Sequence, residues 1–261
     1  MDKYLIANYH THTTRCKHAR GTEREYIEAA IKAGLRILGF SDHVPCPFRD
    51  GHVSGIRMDM SETVDYVKEL RALAEEYKDQ IEILVGFEAE YLPEYFDEQM
   101  ALFDEIGIDY MIMGQHFLKS EQLGPYTGMP TNDEEFLISY VDRVIEGMKT
   151  GRFMYLAHPD LIHYIGDDAI YTREITRMCK TLKEMHIPLE INLLGLLENK
   201  HYPRERFWEI AGEIGNEVIF GIDAHWVEQI GEMSCYEKGV ALVEKYGLKL
   251  IRTATKLRPF S

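Results

Sequence analysis

Short apolar runs and amphipathic stretches alternate along this chain seven or eight times, with no linker between them. The run Leu35–His43 (LRILGFSDH) and the run Ile81–Glu88 (IEILVGFE) lack the in-out alternation of a half-exposed strand. They read as strands covered on both faces, the habit of parallel sheets. Further strands are expected at Tyr4–Ala7, Asp109–His116, Phe153–His158, Ile187–Asn192, Glu217–His225 and Leu248–Arg252. Between them lie helical segments with recognisable ends. Thr22 and Glu25 form a capping box, and Gly34 stops that helix. Ser61 is expected to cap a second helix through about Tyr77. Helices follow near Glu94–Ile106, from Thr131–Asp133 to Lys149, at Ala169–Met185, Arg204–Gly212 and Glu237–Tyr246. Regular β-then-α alternation over 261 residues predicts a (β/α) barrel, distorted or short of eight units. A doubly wound open sheet is the alternative. No G-x-G-x-x-G follows the first strand and no P-loop occurs, so a dinucleotide or Walker-type site is not expected.

The polar residues are informative through their positions. Strand one ends at His10 and His12, strand two at Asp42 and His43, strand three at Glu88, strand four at His116 and strand five at His158. The strand before the last helix ends at Asp223 and His225. In a parallel barrel these carboxyl ends meet on one face, where active sites of that architecture lie. Residues i and i+2 of a strand share a face, so His10/His12 and Asp223/His225 each present a pair to that site. A purely structural role would leave many imidazoles and carboxylates buried without partners, at about 1–3 kcal/mol each. Imidazole and carboxylate are ligands for Zn²⁺, Mn²⁺ and Fe²⁺, so divalent metals resolve the conflict.

Composition narrows the partners. The net charge is −15, so bulk binding to nucleic acid or to an anionic membrane is not expected. A small anionic substrate remains open if something locally positive receives it. No stretch approaches 18 apolar residues, and the N-terminus lacks the basic and apolar regions of a secretory signal. The four cysteines form no CxxC pair, which fits reduced thiols in a cytoplasm. Cys16 sits between histidines and could face a metal site.

At these residues the chain resembles the polymerase and histidinol phosphatase (PHP) family of metallophosphoesterases. The matching pieces are HTH (His10–His12), His18, SDH (Ser41–His43), GFEAEY (Gly86–Tyr91), GQHF (Gly114–Phe117), AHPDL (Ala157–Leu161) and GIDAH (Gly221–His225). The likeness is closest to the short, free-standing histidinol-phosphatase branch. It implies a distorted (β/α)7 TIM-like barrel, a single domain over residues 1–261, and a trinuclear centre of Zn, Mn or Fe. On that resemblance His10, His12, Glu88 and Asp223 would hold one metal. Glu88 would bridge to a second, also held by His116 and His158. His18, His43 and His225 would hold the third.

The chemistry expected is hydrolysis of a phosphate monoester by a metal-bridging hydroxide, with the metals neutralising the phosphoryl oxygens. The candidate catalytic carboxylates are Asp42, Glu88 and Asp223. Asp42 reads as a group supporting the metal ligands or as an acid/base near the leaving group, with a buried capping role as the alternative. Arg20 and Lys119 could clamp phosphate, and each is otherwise a solvated charge. Asn192 is expected to face the pocket. His163, His201, Arg204 and Arg206 are further candidate substrate contacts. Asp160 and Glu198, if they line the pocket, could meet an amine on the substrate, with solvation of a loop as the alternative. The first substrate expectation is L-histidinol phosphate, in histidine biosynthesis. A nucleotide, a phosphodiester end or phosphotyrosine is the alternative within the same chemistry, and a metal-stabilised binding domain is the alternative outside it.

Overall fold

The computed structural model describes residues 5–254. The first expected run therefore begins, at Tyr4, outside the described residues. Among the described residues there are seven strands and eight α-helices. They are β1 (Ala7–Asn8), α1 (Glu23–Ala33), β2 (Ile37–His43), α2 (Thr63–Tyr77), β3 (Glu82–Ala89), α3 (Pro93–Ile106), β4 (Tyr110–Met113), α4 (Glu134–Lys149), α5 (Asp168–Glu184), β5 (Leu189–Asn192), α6 (Leu193–Glu198), α7 (Glu205–Ile214), β6 (Glu217–Gly221), α8 (Met233–Tyr246) and β7 (Lys249–Leu250).

All strand pairs are parallel. The order β1-β2-β3-β4 forms one sheet and β5-β6-β7 a second. Leu156 bridges both Met113, at the end of β4, and Leu189, at the start of β5. On the far side Thr11 bridges Ala224. The sheet therefore curls round in sequence order, which is a distorted seven-unit barrel and not the reversed order of a doubly wound fold. The expected fifth strand, Phe153–His158, contributes bridges through Leu156 alone. His158 ends it with a left-handed backbone (φ +28°), which no extended strand accommodates. Expected strand four likewise stops early, at Met113, and the expected strand Glu217–His225 stops at Gly221.

The sequence punctuation acts as read at both ends of α1 and at the start of α4. Thr22 and Glu25 make the reciprocal capping box of α1, and Gly34 closes it with φ +84°. Asp133 caps α4, accepting from the Glu135 and Phe136 amides at 2.9 and 3.3 Å. Ser61 does not cap α2. A 3₁₀ turn, Met60–Glu62, precedes that helix, and the Asp59 amide donates to the Glu62 side chain at 2.8 Å.

Two layers of apolar packing follow from strand alternation. Outward residues such as Leu38, Phe40, Val85 and Phe87 pack under the helices. Inward residues such as Ala7, Tyr9, Leu84, Tyr110, Ile112, Tyr155 and Ile219 plug the barrel from its amino-terminal side. The Tyr110 hydroxyl donates to the Tyr9 carbonyl at 2.7 Å inside that plug. The same inward phase, continued to the strand ends, turns polar at Glu88, Glu190, Asn192 and Asp223. No helix among the described residues is long and apolar enough to cross a membrane.

Candidate metal centre

The floor of the site is Glu88, near the end of β3. Its carboxylate is 1% exposed and meets five imidazoles. His158 Nε2 lies 2.7 Å from Oε1, His43 Nδ1 3.0 Å from Oε2 and His116 Nε2 3.3 Å from Oε1. His10 and His12 each bring Nε2 to 3.5 Å. Asp223 faces Glu88 across these two rings, with Oδ1 3.4 Å from His10 Nε2 and 3.3 Å from His12 Nε2. At the rim, His225 Nε2 and His18 Nε2 lie 3.0 Å apart, and the His18 and His43 rings stack at 5.3 Å. All nine side chains expected as metal ligands thus meet at one end of the barrel.

Local structure makes the room. A Cβ at Gly114 would sit 2.0 Å from Glu88 Oε1, and a Cβ at Gly221 would sit 2.0 Å from Glu190 Oε2. Both glycines stand where a strand passes a buried carboxylate. His158 and Asp223 (φ +57°) take left-handed backbone, which costs a non-glycine residue about 1–3 kcal/mol. Those bends aim the two side chains into the site.

A second layer of polar residues holds the first. The His10 Nδ1–H faces the Glu190 carboxylate at 2.9 and 3.1 Å. Asn192 Nδ2 donates to Glu190 Oε1 at 2.9 Å and to Asp223 Oδ2 at 3.1 Å, while its Oδ1 accepts from the Gly195 amide. The His116 Nδ1–H faces Glu90 Oε1 at 3.1 Å, and Arg57 grips both oxygens of Glu90 at 3.0 and 3.1 Å. Arg57 is 2% exposed and also binds Glu121 and the Val44 carbonyl. Glu190, Glu90 and Arg57 were not singled out by the sequence reading. Glu190 did carry a signal, since it shares the inward phase of β5 with Asn192.

The electrostatics suit cations. Burial works against charge on Glu88, but His116, His10 and His43 outweigh it and hold its carboxyl well below the usual range. Asp223 is likewise held low against burial, chiefly by His10 and His12. Burial opposes the imidazolium of His116, yet Glu88 and Glu90 raise it to about 9. Burial and His12 push His225 down to about 3. The carboxylates are thus ionised, while protons and metal ions compete for the same ring nitrogens. His10 Nε2, both ring nitrogens of His12 and His158 Nδ1 are buried with no hydrogen-bond partner. Orphaned imidazole nitrogens beside ionised carboxylates are the donor set of a transition-metal site. Three such groupings are His10/His12/Glu88, His43/Glu88/His116 and His18/His43/His225. Cys16 is buried and forms another with His12 and His225. Burial raises its thiol pKa, but His12 and His18 outweigh that and bring it to about 7.

A cavity of about 420 Å³ opens above the cluster. Seven of the nine ligand candidates line it, together with Ile56, Phe117, Tyr126, Leu194, Glu198, Lys200, Tyr202 and Trp226. Of the expected substrate contacts, Glu198 lines the cavity and the others are placed elsewhere. Arg20 is exposed, and its backbone amide donates to the His225 carbonyl at 2.8 Å. Lys119 is exposed outside the cavity lining. His163 and His201 stack face to face at 4.0 Å, and His201 Nε2 meets the Leu161 carbonyl. Arg204 lies over the Tyr171 ring at 3.9 Å and donates to the Tyr164 carbonyl. Arg206 pairs with Glu209 at 2.6 Å. Asn192 is spent on Glu190, Asp223 and α6. Asp160 is buried away from the cavity, accepting from the Arg204 amide and the Trp208 indole. Asp42 is also outside the cavity. It accepts from the Thr13 amide at 3.1 Å and from the Thr13 hydroxyl, and stands 3.7 Å behind His12 Nδ1.

The chain is similar to several known proteins. A family model described as PHP domain matches residues 8–193. A Deinococcus radiodurans protein named "Probable histidinol-phosphatase" is 26% identical, over 87% of this chain and 88% of its own. A Bacillus subtilis protein named "Histidinol-phosphatase" is 33% identical, over 43% of this chain and 44% of its own. The crystal structure of histidinol phosphate phosphatase from Lactococcus lactis subsp. lactis Il1403, complexed with Zn, L-histidinol and phosphate, superposes with a TM-score of 0.73. That match covers 95% of this chain and 96% of the other at 19% identity.

Proposed function

Because this chain belongs to the PHP domain family, we propose that it is a metal-dependent phosphomonoesterase whose substrate is L-histidinol phosphate. The observation that carries the reading is the convergence of seven histidines with Glu88 and Asp223 beneath a cavity of about 420 Å³. The names borne by the relatives in Deinococcus radiodurans and Bacillus subtilis support the substrate. So does the ligand of the Lactococcus lactis structure.

The donor set fits divalent cations on the orphaned nitrogens described above. His10, His12, Glu88 and Asp223 would hold one ion. Glu88, His116 and His158 would hold a second, and His18, His43 and His225 a third, the metals being zinc, manganese or iron. Ions so held would act as Lewis acids on phosphoryl oxygen and lower the pKa of water.

The remaining work belongs to the chain. Glu190 and Glu90 keep the protons of His10 and His116 on Nδ1, so that Nε2 of each ring faces Glu88. Asp42, fixed by Thr13, backs His12. Phe117, Tyr126, Tyr202 and Trp226 wall the cavity with aromatic surface. Such walls suit the imidazole ring of histidinol phosphate. Ions held by this cluster would also answer the charge problem posed by a net −15, since they would supply the local positive charge that the protein surface lacks. The whole chain, 1–261, then acts as one domain at a phosphatase step of histidine biosynthesis in the cytoplasm.

The test is phosphate release by protein reconstituted with Mn²⁺ or Zn²⁺, on L-histidinol phosphate, a nucleoside monophosphate and a phosphotyrosyl peptide. A preference for L-histidinol phosphate of about a thousandfold in kcat/KM, or roughly 4 kcal/mol, is expected. Equal turnover across the panel would overturn the substrate and leave the chemistry.

A further inference from the structure

Among the described residues lining the cavity, two charged side chains are not ligand candidates, Glu198 and Lys200. Glu198 is the last residue of α6. Asn199 then takes a left-handed conformation (φ +53°, ψ +45°), which reverses the chain and brings Lys200 back beside it. The Lys200 amide donates to the Gly195 carbonyl at 2.9 Å, so the turn is tied to the helix. The helix is in turn capped by Asn192, whose amide holds Asp223. The two charges are therefore registered to the metal centre through one side chain. Lys200 Nζ lies 3.1 Å from Glu198 Oε2, with each side chain 35% exposed.

An ion pair this exposed is worth little, about 0–1 kcal/mol, so it exchanges partners cheaply. A ligand's negative group would recruit Lys200 and release Glu198 into the same cavity. A phosphate ester with no positive charge would then face an unpaired carboxylate and be repelled. An ester that also carries an ammonium group satisfies both residues at once. Selection against the wrong ligand by an uncompensated charge is a general route to specificity.

We propose that Glu198 and Lys200 form the selectivity element of the cavity, Glu198 receiving the ammonium of the substrate and Lys200 its phosphate, so that the protein takes amine-bearing phosphate monoesters. This rests on the phosphomonoesterase reading given above.

The experiment compares L-histidinol phosphate with its des-amino analogue, 3-(imidazol-4-yl)propyl phosphate, on the metal-reconstituted wild type, Glu198→Gln and Lys200→Met. Glu198→Gln is expected to raise KM for L-histidinol phosphate about tenfold, the scale of a charged hydrogen bond, and to lower KM for the analogue. Lys200→Met is expected to raise KM for both. A structural role for Glu198 would move both values the same way, and parallel shifts overturn the inference. Equal wild-type KM values for the two esters overturn it as well, while leaving the phosphatase reading intact. Wild-type failure on both esters overturns that reading and the inference with it.

Discussion

Gly114 gives the Glu88 carboxylate its space, since a Cβ on residue 114 would stand 2.0 Å from Glu88 Oε1. Backbone on one strand thus shapes the charge carried by its neighbour. Gly114→Ala must push Glu88 out of reach of several of its five imidazoles. It is expected to lower both bound metal and phosphate release by about a hundredfold, the upper end of the range for a displaced metal support. Elemental analysis and circular dichroism check this together. A variant that folds, binds metal and turns over normally would contradict the assignment of Glu88 as the shared ligand.

Glu190 supports His10 from behind at 2.9 Å and is fully buried. Glu190→Gln keeps the shape and removes the charge. Metal affinity is expected to fall about 10–100-fold, read by competition with a chelator of known strength. Unchanged affinity would mean that His10 is oriented by packing alone.

Arg57 closes a buried ion-pair network from a loop to a metal-ligand candidate, through Glu90 to His116. Arg57→Met leaves the buried Glu90 and the half-buried Glu121 without the guanidinium that pairs them. About 3–5 kcal/mol of stability is expected to be lost, measured by urea denaturation. Arg57→Lys keeps the charge without the two-armed geometry and should recover part of it.

Glu121 provides a pH test of the same network. Burial raises its pKa, but Arg57 and His52 outweigh burial and hold it below its ordinary value. A depressed folded-state pKa contributes stability that is complete above the unfolded value, about 4.3, and is lost as pH falls through the folded one. Glu121→Gln should therefore melt lower than wild type at pH 7, with the gap narrowing below about pH 4.5. A gap that stays constant to pH 3 would show that the Glu121 charge contributes no stability.

The ligand set was legible because a parallel barrel converts a sequence position, the end of a strand, into a spatial one. His10, Asp223 and the residues between them needed no knowledge of side-chain direction to be placed on one face. Apart from Glu198, which lines the cavity, the substrate contacts were not legible for the converse reason. Arg20, Lys119 and Arg204 sit on loops and helix starts, where direction is set by partners distant in sequence. Arg204 turns to the Tyr171 ring and the Tyr164 carbonyl. Lys200 faces the cavity because Asn199 adopts a left-handed backbone. Strand five was overread because its apolar run is strand-like while His158, at its end, bends to aim its ring at Glu88. Glu190 could have been found by carrying the inward phase of β5 back two residues from Asn192.

The most direct test of the central claim couples metal content to turnover in one preparation. Purified protein is stripped with a chelator and reloaded with Mn²⁺ or Zn²⁺, and metal per chain and phosphate release from L-histidinol phosphate are followed at each step. Both are expected to fall together and return together. Phosphate release that survives in metal-free protein would contradict the account of Glu88, Asp223 and their seven histidines as a metal centre for phosphoester hydrolysis.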